Sequence, residues 1–276
     1  SRASIMSSAP KTKPKKPVLA GGSGAFEQLP AFLRYGPWSP VAYLFLISAI
    51  ALILYKANDA LSNIPSFNAT PANDEGDGWW RFGIFLYGIA IIYYIIKSVG
   101  MWPLYSFTMM SWTLFTLRYL FSSLHHSDFG ISYFYLLSEA LRFPALVCNS
   151  ITITVWWIVL VPAIYLFIRC KGKDKTLARS NSRQFLKWNF SPMLLNIHLL
   201  NLPLSAMDHM LYPRMLTSFD LWMGLIVAIS YVLFYLFYLD PLGLHFYHVI
   251  LSPRPHWCFL PYALTLSLLP FFQWIW

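Results

Sequence analysis

The stretch Asn196-Ile197-His198-Leu199-Leu200-Asn201-Leu202-Pro203 sets an imidazole and two carboxamides inside a run of leucines otherwise fit to sit in lipid. With no water to bond there, each polar group must meet a protein partner or a substrate. His198 is therefore a candidate general base and acid, with a packing hydrogen bond to a neighbouring Ser or Thr as the structural alternative; Asn196 and Asn201 are candidate supports. Hydroxyls are available on Trp112-Thr113-Leu114-Phe115-Thr116-Leu117-Arg118-Tyr119, where helical spacing aligns Thr113, Thr116, Tyr119 and, further on, Ser123. An un-ionised hydroxyl attacks an acyl carbon poorly, but an imidazole can remove its proton and later protonate the leaving group. Thr116 and His198 form that pair if their helices touch. Threonines in membrane helices also commonly bond the carbonyl one turn back, which needs no catalysis. Arg118 is a charge inside an apolar run; snorkelling to phosphate or to Glu139 is the expected use, and holding a fatty-acid carboxylate is the alternative.

Metal chemistry has little to stand on. His245 and His248 are three apart and His125 adjoins His126, but the orientation argued below puts these two groups on opposite sides of a membrane. The cysteines, Cys148, Cys170 and Cys258, form no CxxC pair. No metal and no cofactor are expected.

The elements that must position these groups are membrane helices. Of the 276 residues, 57% are hydrophobic and 11% charged, with a mean hydropathy of +0.52, too little polar surface for a soluble globule of this length. The class is all-α, a polytopic bundle of about seven spans. The first runs from Pro40 to Tyr55, the second over residues 82–96 between Arg81 and Lys97, and the third from about Leu104 to Leu124. A short amphipathic helix from Tyr133 to Arg142 leads through Phe143-Pro144 into a fourth span ending near Ile168. A basic loop, Arg169 to Lys187, follows. The fifth span, about Pro192 to Met207, carries the opening motif, and Asp208, His209, Arg214 and Asp220 fall in its return loop. Leu221 to Leu239 is the sixth and Phe259 to about Trp274 the seventh.

Fifteen of the twenty Lys and Arg lie before residue 35, at Lys97, in the 169–187 loop and at Arg254, so an odd helix count satisfies the positive-inside rule with the N-terminus inside. This distribution orients a membrane protein and is no footprint for nucleic acid. Residues 1–37 read as a basic tail, acid-free up to residue 26, consistent with a mature end left by a removed targeting presequence. Residues 38–79 read as an extra helix with an acidic loop, and residues 80–276 as a six-helix membrane domain. The acidic loop holds an Asn68-Ala69-Thr70 sequon, which matters only in a secretory lumen.

Residues 80–276 resemble the androgen-induced-gene family of multi-pass membrane proteins, which hydrolyse fatty acid esters of hydroxy fatty acids with a threonine and a histidine. Trp112 and Thr116 match the spacing of that family's Trp and nucleophile; His198, Pro203 and Asp208 match the register of its His motif. Phe143-Pro144 with Trp156, and the aromatic Gly243 to Leu251 stretch, are similar as well. The resemblance implies a lipid-ester hydrolase with Thr116 as nucleophile, His198 as base and Asp208 as support. The chain departs from the family's polar surround at Tyr119, Ser123, Leu194 and Leu199. Together with the basic tail and the added helix, these departures point to a second expectation. That is a non-catalytic accessory subunit of a large membrane complex, in the mitochondrial inner membrane; the hydrolase would equally suit the endoplasmic reticulum. Membrane lipids are the expected partners in either case, joined by other membrane subunits in the second.

Overall fold

The computed structural model describes residues 31–33, 36–65, 77–125, 132–171, 175–244, 246–247 and 250–276, and all regular structure among them is helical. The tail to residue 30, the acidic Asp74 and Glu75, the Asn68 sequon, His126, Asp128, His245 and His248 lie outside the described residues.

Five helical segments are long and apolar enough to cross a membrane: Pro40–Ser62, Gly78–Val99, Tyr133–Cys170, Ser218–Leu239 and His256–Ile275. In chain order the helices are α1 (Pro40–Ser62), α2 (Asp77–Val99), α3 (Phe107–His125), α4 (Ser132–Ile153), α5 (Val161–Lys171), α6 (Lys175–Asn189), α7 (Pro192–Leu195), α8 (Asn201–Leu211), α9 (Ser218–Phe234) and α10 (Phe259–Ile275). Wider π-type turns join α4 to α5 (Thr154–Leu160), join α7 to α8 (Asn196–Leu200) and extend α9 (Tyr235–Leu239). The starts obey local chemistry. Ser39 accepts the Val41 N–H ahead of Pro40 in the first turn of α1, and Thr217 and Asp220 close a reciprocal capping box on α9.

Helix α4 is the hub: α3 packs along it, and α8, α9 and α10 also contact it, while α2 lines α3 and α1 lines α9. Two glycines permit the closest approaches. A methyl group on Gly88 of α2 would collide with the Thr116 side chain of α3, and one on Gly224 of α9 would fall 2.9 Å from the Phe143 ring of α4.

Three boundaries differ from the sequence expectation. Tyr133–Arg142 is no separate helix: the rod runs unbroken from Tyr133 to Cys170 with Pro144 inside it, 38 residues, or about 57 Å at 1.5 Å per residue. The basic 169–187 stretch is not a loop, since α6 occupies most of it. Asp208 and His209 do not lie in the return loop; they are buried in the last turns of α8.

Candidate functional site at two facing pi turns

Proline chemistry shapes the backbone around His198. In a helix the His198 carbonyl would accept from Leu202 or, in the wider turn, from residue 203. Leu202 N–H donates to Asn201 Oδ1 at 2.9 Å, and Pro203 has no N–H to give. The carbonyl takes its hydrogen bond from another helix, the Trp157 indole at 2.8 Å. Trp157 sits in the π turn between α4 and α5, and its neighbour Trp156 stacks on the His198 imidazole with centroids 3.8 Å apart and planes 10° from parallel. Two wide turns thus meet face to face. Such turns recur at functional sites because they push a side chain out of helical register.

The buried His198 ring faces Thr108, not Thr116: Nε2 lies 3.4 Å from Thr108 Oγ1. Thr108 is the second residue of α3, at the end where backbone N–H groups lack helical acceptors. The Phe107 N–H donates to the Tyr247 hydroxyl at 3.1 Å, and that hydroxyl also adjoins Thr108. Thr108 therefore adjoins both His198 and Tyr247.

Beside them lies a cavity of about 260 Å³ between α3, α4, α9 and α10, with Thr108, Cys148, Trp156, Ala228, Tyr247 and Leu268 among its walls. Its lining is dominated by Val, Leu, Ile and aromatic side chains, a surface suited to an acyl chain.

Thr116 is held elsewhere. Its hydroxyl donates to the Trp112 carbonyl at 2.8 Å, and the side chain is wedged against Gly88. Thr113 bonds back to Met109 O at 2.8 Å in the same way. No hydrogen bond joins Thr116 to His198 among the described residues. Thr108 and Thr116 are eight residues apart on α3, about 12 Å along its axis, so an imidazole at Thr108 cannot also serve Thr116. The pairing expected from sequence is replaced by His198 with Thr108.

The remaining candidates are structural ties. Asn196 accepts from the Tyr87 hydroxyl and donates to Pro192 O at 2.7 Å, fastening the π turn to α2. Asn201 donates to Asn149 Oδ1 at 3.0 Å, and Asn149 donates to Ser205 Oγ at 2.6 Å, so a buried carboxamide relay joins α8 to α4. Arg118 does not snorkel and does not reach Glu139. It pairs with Asp208, whose other oxygen lies 2.9 Å from Arg81, all three side chains being at most 5% exposed. Nearby, Glu139 binds Arg142 and Arg214, and Arg214 clasps Asp220 with two bonds of 2.7 and 2.8 Å. Burial alone would lower the Arg214 guanidinium, yet its hydrogen bonds to Asp220 and the charge of Glu139 hold it above its ordinary value.

Sequence reasoning passed over Thr108, Tyr247, Trp157 and Asn149. Asn149 carried the signal used for Asn196 and Asn201, a carboxamide in an apolar run. Thr108 carried none that separates it from the other hydroxyls of α3. No family model, curated protein or solved structure matches the chain.

Proposed function

We propose that this protein is a seven-pass membrane lipid-ester hydrolase in which His198 activates Thr108, with the substrate's acyl chain in the adjoining cavity. Helix α3 and the composite Pro192–Leu211 segment supply the two spans beyond the five long apolar ones. The observation that carries the proposal is the 3.4 Å approach of His198 Nε2 to Thr108 Oγ1 at the wall of an apolar cavity. Hydrogen bonds of this kind are often long before substrate binds. His198 takes the Thr108 proton as Oγ1 attacks the ester carbonyl. The tetrahedral oxyanion forms beside the Tyr247 hydroxyl, which accepts from the Phe107 backbone and adjoins Thr108, and the Tyr247 O–H turns to donate to it. His198 then protonates the departing alcohol, and water, deprotonated by the same imidazole, releases the acid. Fatty acid esters of hydroxy fatty acids fit as substrates on the resemblance in sequence. An internal membrane of the cell, with the basic N-terminus on its matrix or cytosolic side, fits the charge distribution.

The test is hydrolysis of a long-chain ester by the full chain in lipid nanodiscs. Thr108→Ala is expected to abolish turnover, His198→Gln to lower it by roughly 10²–10⁴-fold, and Thr116→Ala to leave it nearly unchanged. Equal activity of wild type and Thr108→Ala refutes the assignment.

The second reading, a non-catalytic subunit of a larger inner-membrane complex, is favoured by the commitment of the Thr116 hydroxyl to Trp112 O and Gly88, since Thr116 is the residue the family motif would make reactive. It expects no turnover from any variant and migration in a large assembly on native gels. A monomer with esterase activity counts against it.

A further inference from the structure

The basic stretch after the long rod is ordered as α6, and its cations are not scattered along it. Lys175, Arg179, Arg183 and Lys187 follow one another at four-residue intervals, forming one exposed ridge. The side facing the protein is made of Ala178, Ser182 and Asn189, which are buried, so the ridge stands on a neighbouring, open flank. From Ala140 to Met207 the sequence contains a single acidic residue, Asp174, and among the described residues no carboxylate forms an ion pair with any member of the ridge.

The position of α6 in the chain identifies what such a ridge meets. It packs against α5, the end of the rod, and connects through α7 to the His198 segment. Helix α5, against which α6 packs, exposes Leu166 and Phe167, apolar side chains suited to lipid. Exposed apolar surface and clustered cations on adjoining helices are the pairing that acyl chains and anionic headgroups require. Like charges spaced one turn apart also repel, which disfavours α6 unless anions bridge them.

We propose that the α6 ridge binds the headgroup phosphates of anionic phospholipids and anchors the α5–α6 end of the bundle at a negatively charged membrane face. This inference is independent of hydrolysis, since none of its residues touches Thr108, His198 or the cavity.

The experiment is native mass spectrometry of the full chain titrated with phosphatidylglycerol or phosphatidylcholine. Wild type is expected to retain phosphatidylglycerol over phosphatidylcholine, with the preference weakening as salt rises. Replacing all four cations by Gln is expected to reduce that preference by roughly tenfold or more, since each cation near an anionic surface contributes about a fivefold gain. Lys175→Arg with Lys187→Arg keeps the charge and should keep the preference. Circular dichroism of the Gln variant matching wild type shows that the fold survives. If it does not match, single Arg179→Gln and Arg183→Gln variants replace it, each expected to lose part of the preference. Equal binding of the two lipids by wild type overturns the proposal, as does a preference that survives neutralisation or a ridge that binds an acidic peptide but no lipid.

Discussion

The two ends of the α3–α4–α8 packing treat polar groups in opposite ways. At one end Arg81, Arg118 and Asp208 lock together, and Glu139, Arg142, Arg214 and Asp220 form a second cluster between α4, the 212–217 turn and α9. Charges there are consumed by one another, and what they achieve is the registration of helix ends. At the other end Thr108 adjoins His198 and Tyr247 beside a cavity, with no ion pair there among the described residues. Buried ion pairs rarely add much net stability but cost heavily when one partner is lost. Neutral hydroxyls at a cavity wall carry no buried charge that a substitution would leave unpaired. Structural cost and chemical potential are therefore separated along the same helices.

That separation can be broken in graded steps. Asp208→Ala removes the counter-charge of two buried arginines and is expected to cost about 3–5 kcal/mol. A large drop in thermal unfolding temperature in detergent is the readout, and an unchanged midpoint would contradict the ionic account. Gly88→Ala forces a methyl into the Thr116 side chain and should cost about 1–3 kcal/mol, with the double variant Gly88→Ala, Thr116→Ala recovering part of it. Trp157→Phe strips the donor from the His198 carbonyl, an expected loss of about 1–3 kcal/mol that should also displace the imidazole and lower ester turnover. Thr116→Val removes only a hydrogen bond within its own helix and should shift stability by less than about 1 kcal/mol without altering turnover.

Much of this fold was legible in the chain because long apolar runs mark helices however they pack. The starts at Pro40 and Phe259 follow from composition, whereas α9 begins at Ser218, three residues before the expected Leu221, because the Thr217 and Asp220 capping box draws Asp220 out of the return loop into the first helical turn. The failures share a cause, which is that charge was read as exposure to water. Asp208 looked like a turn residue, yet its partners Arg81 and Arg118 come from helices far away in sequence and let it stay buried. Lys175–Asn189 looked like a loop because the side it buries, Ala178, Ser182 and Asn189, is small and polar and leaves no apolar periodicity. At the site, His198 was identifiable from its apolar surroundings alone. Its partner was not, because which of Thr108, Thr113 and Thr116 meets the imidazole depends on the height and the rotation at which α3 packs. That rotation is fixed by Gly88 and Trp112, a contact between helices and not a pattern within one.

The most direct measurement is the site of covalent labelling when the nanodisc-embedded protein reacts with a long-chain fluorophosphonate, mapped by peptide mass spectrometry. The account predicts the adduct on Thr108, lost in His198→Gln and retained in Thr116→Ala. An adduct on Thr116, or no adduct on either threonine, would contradict it.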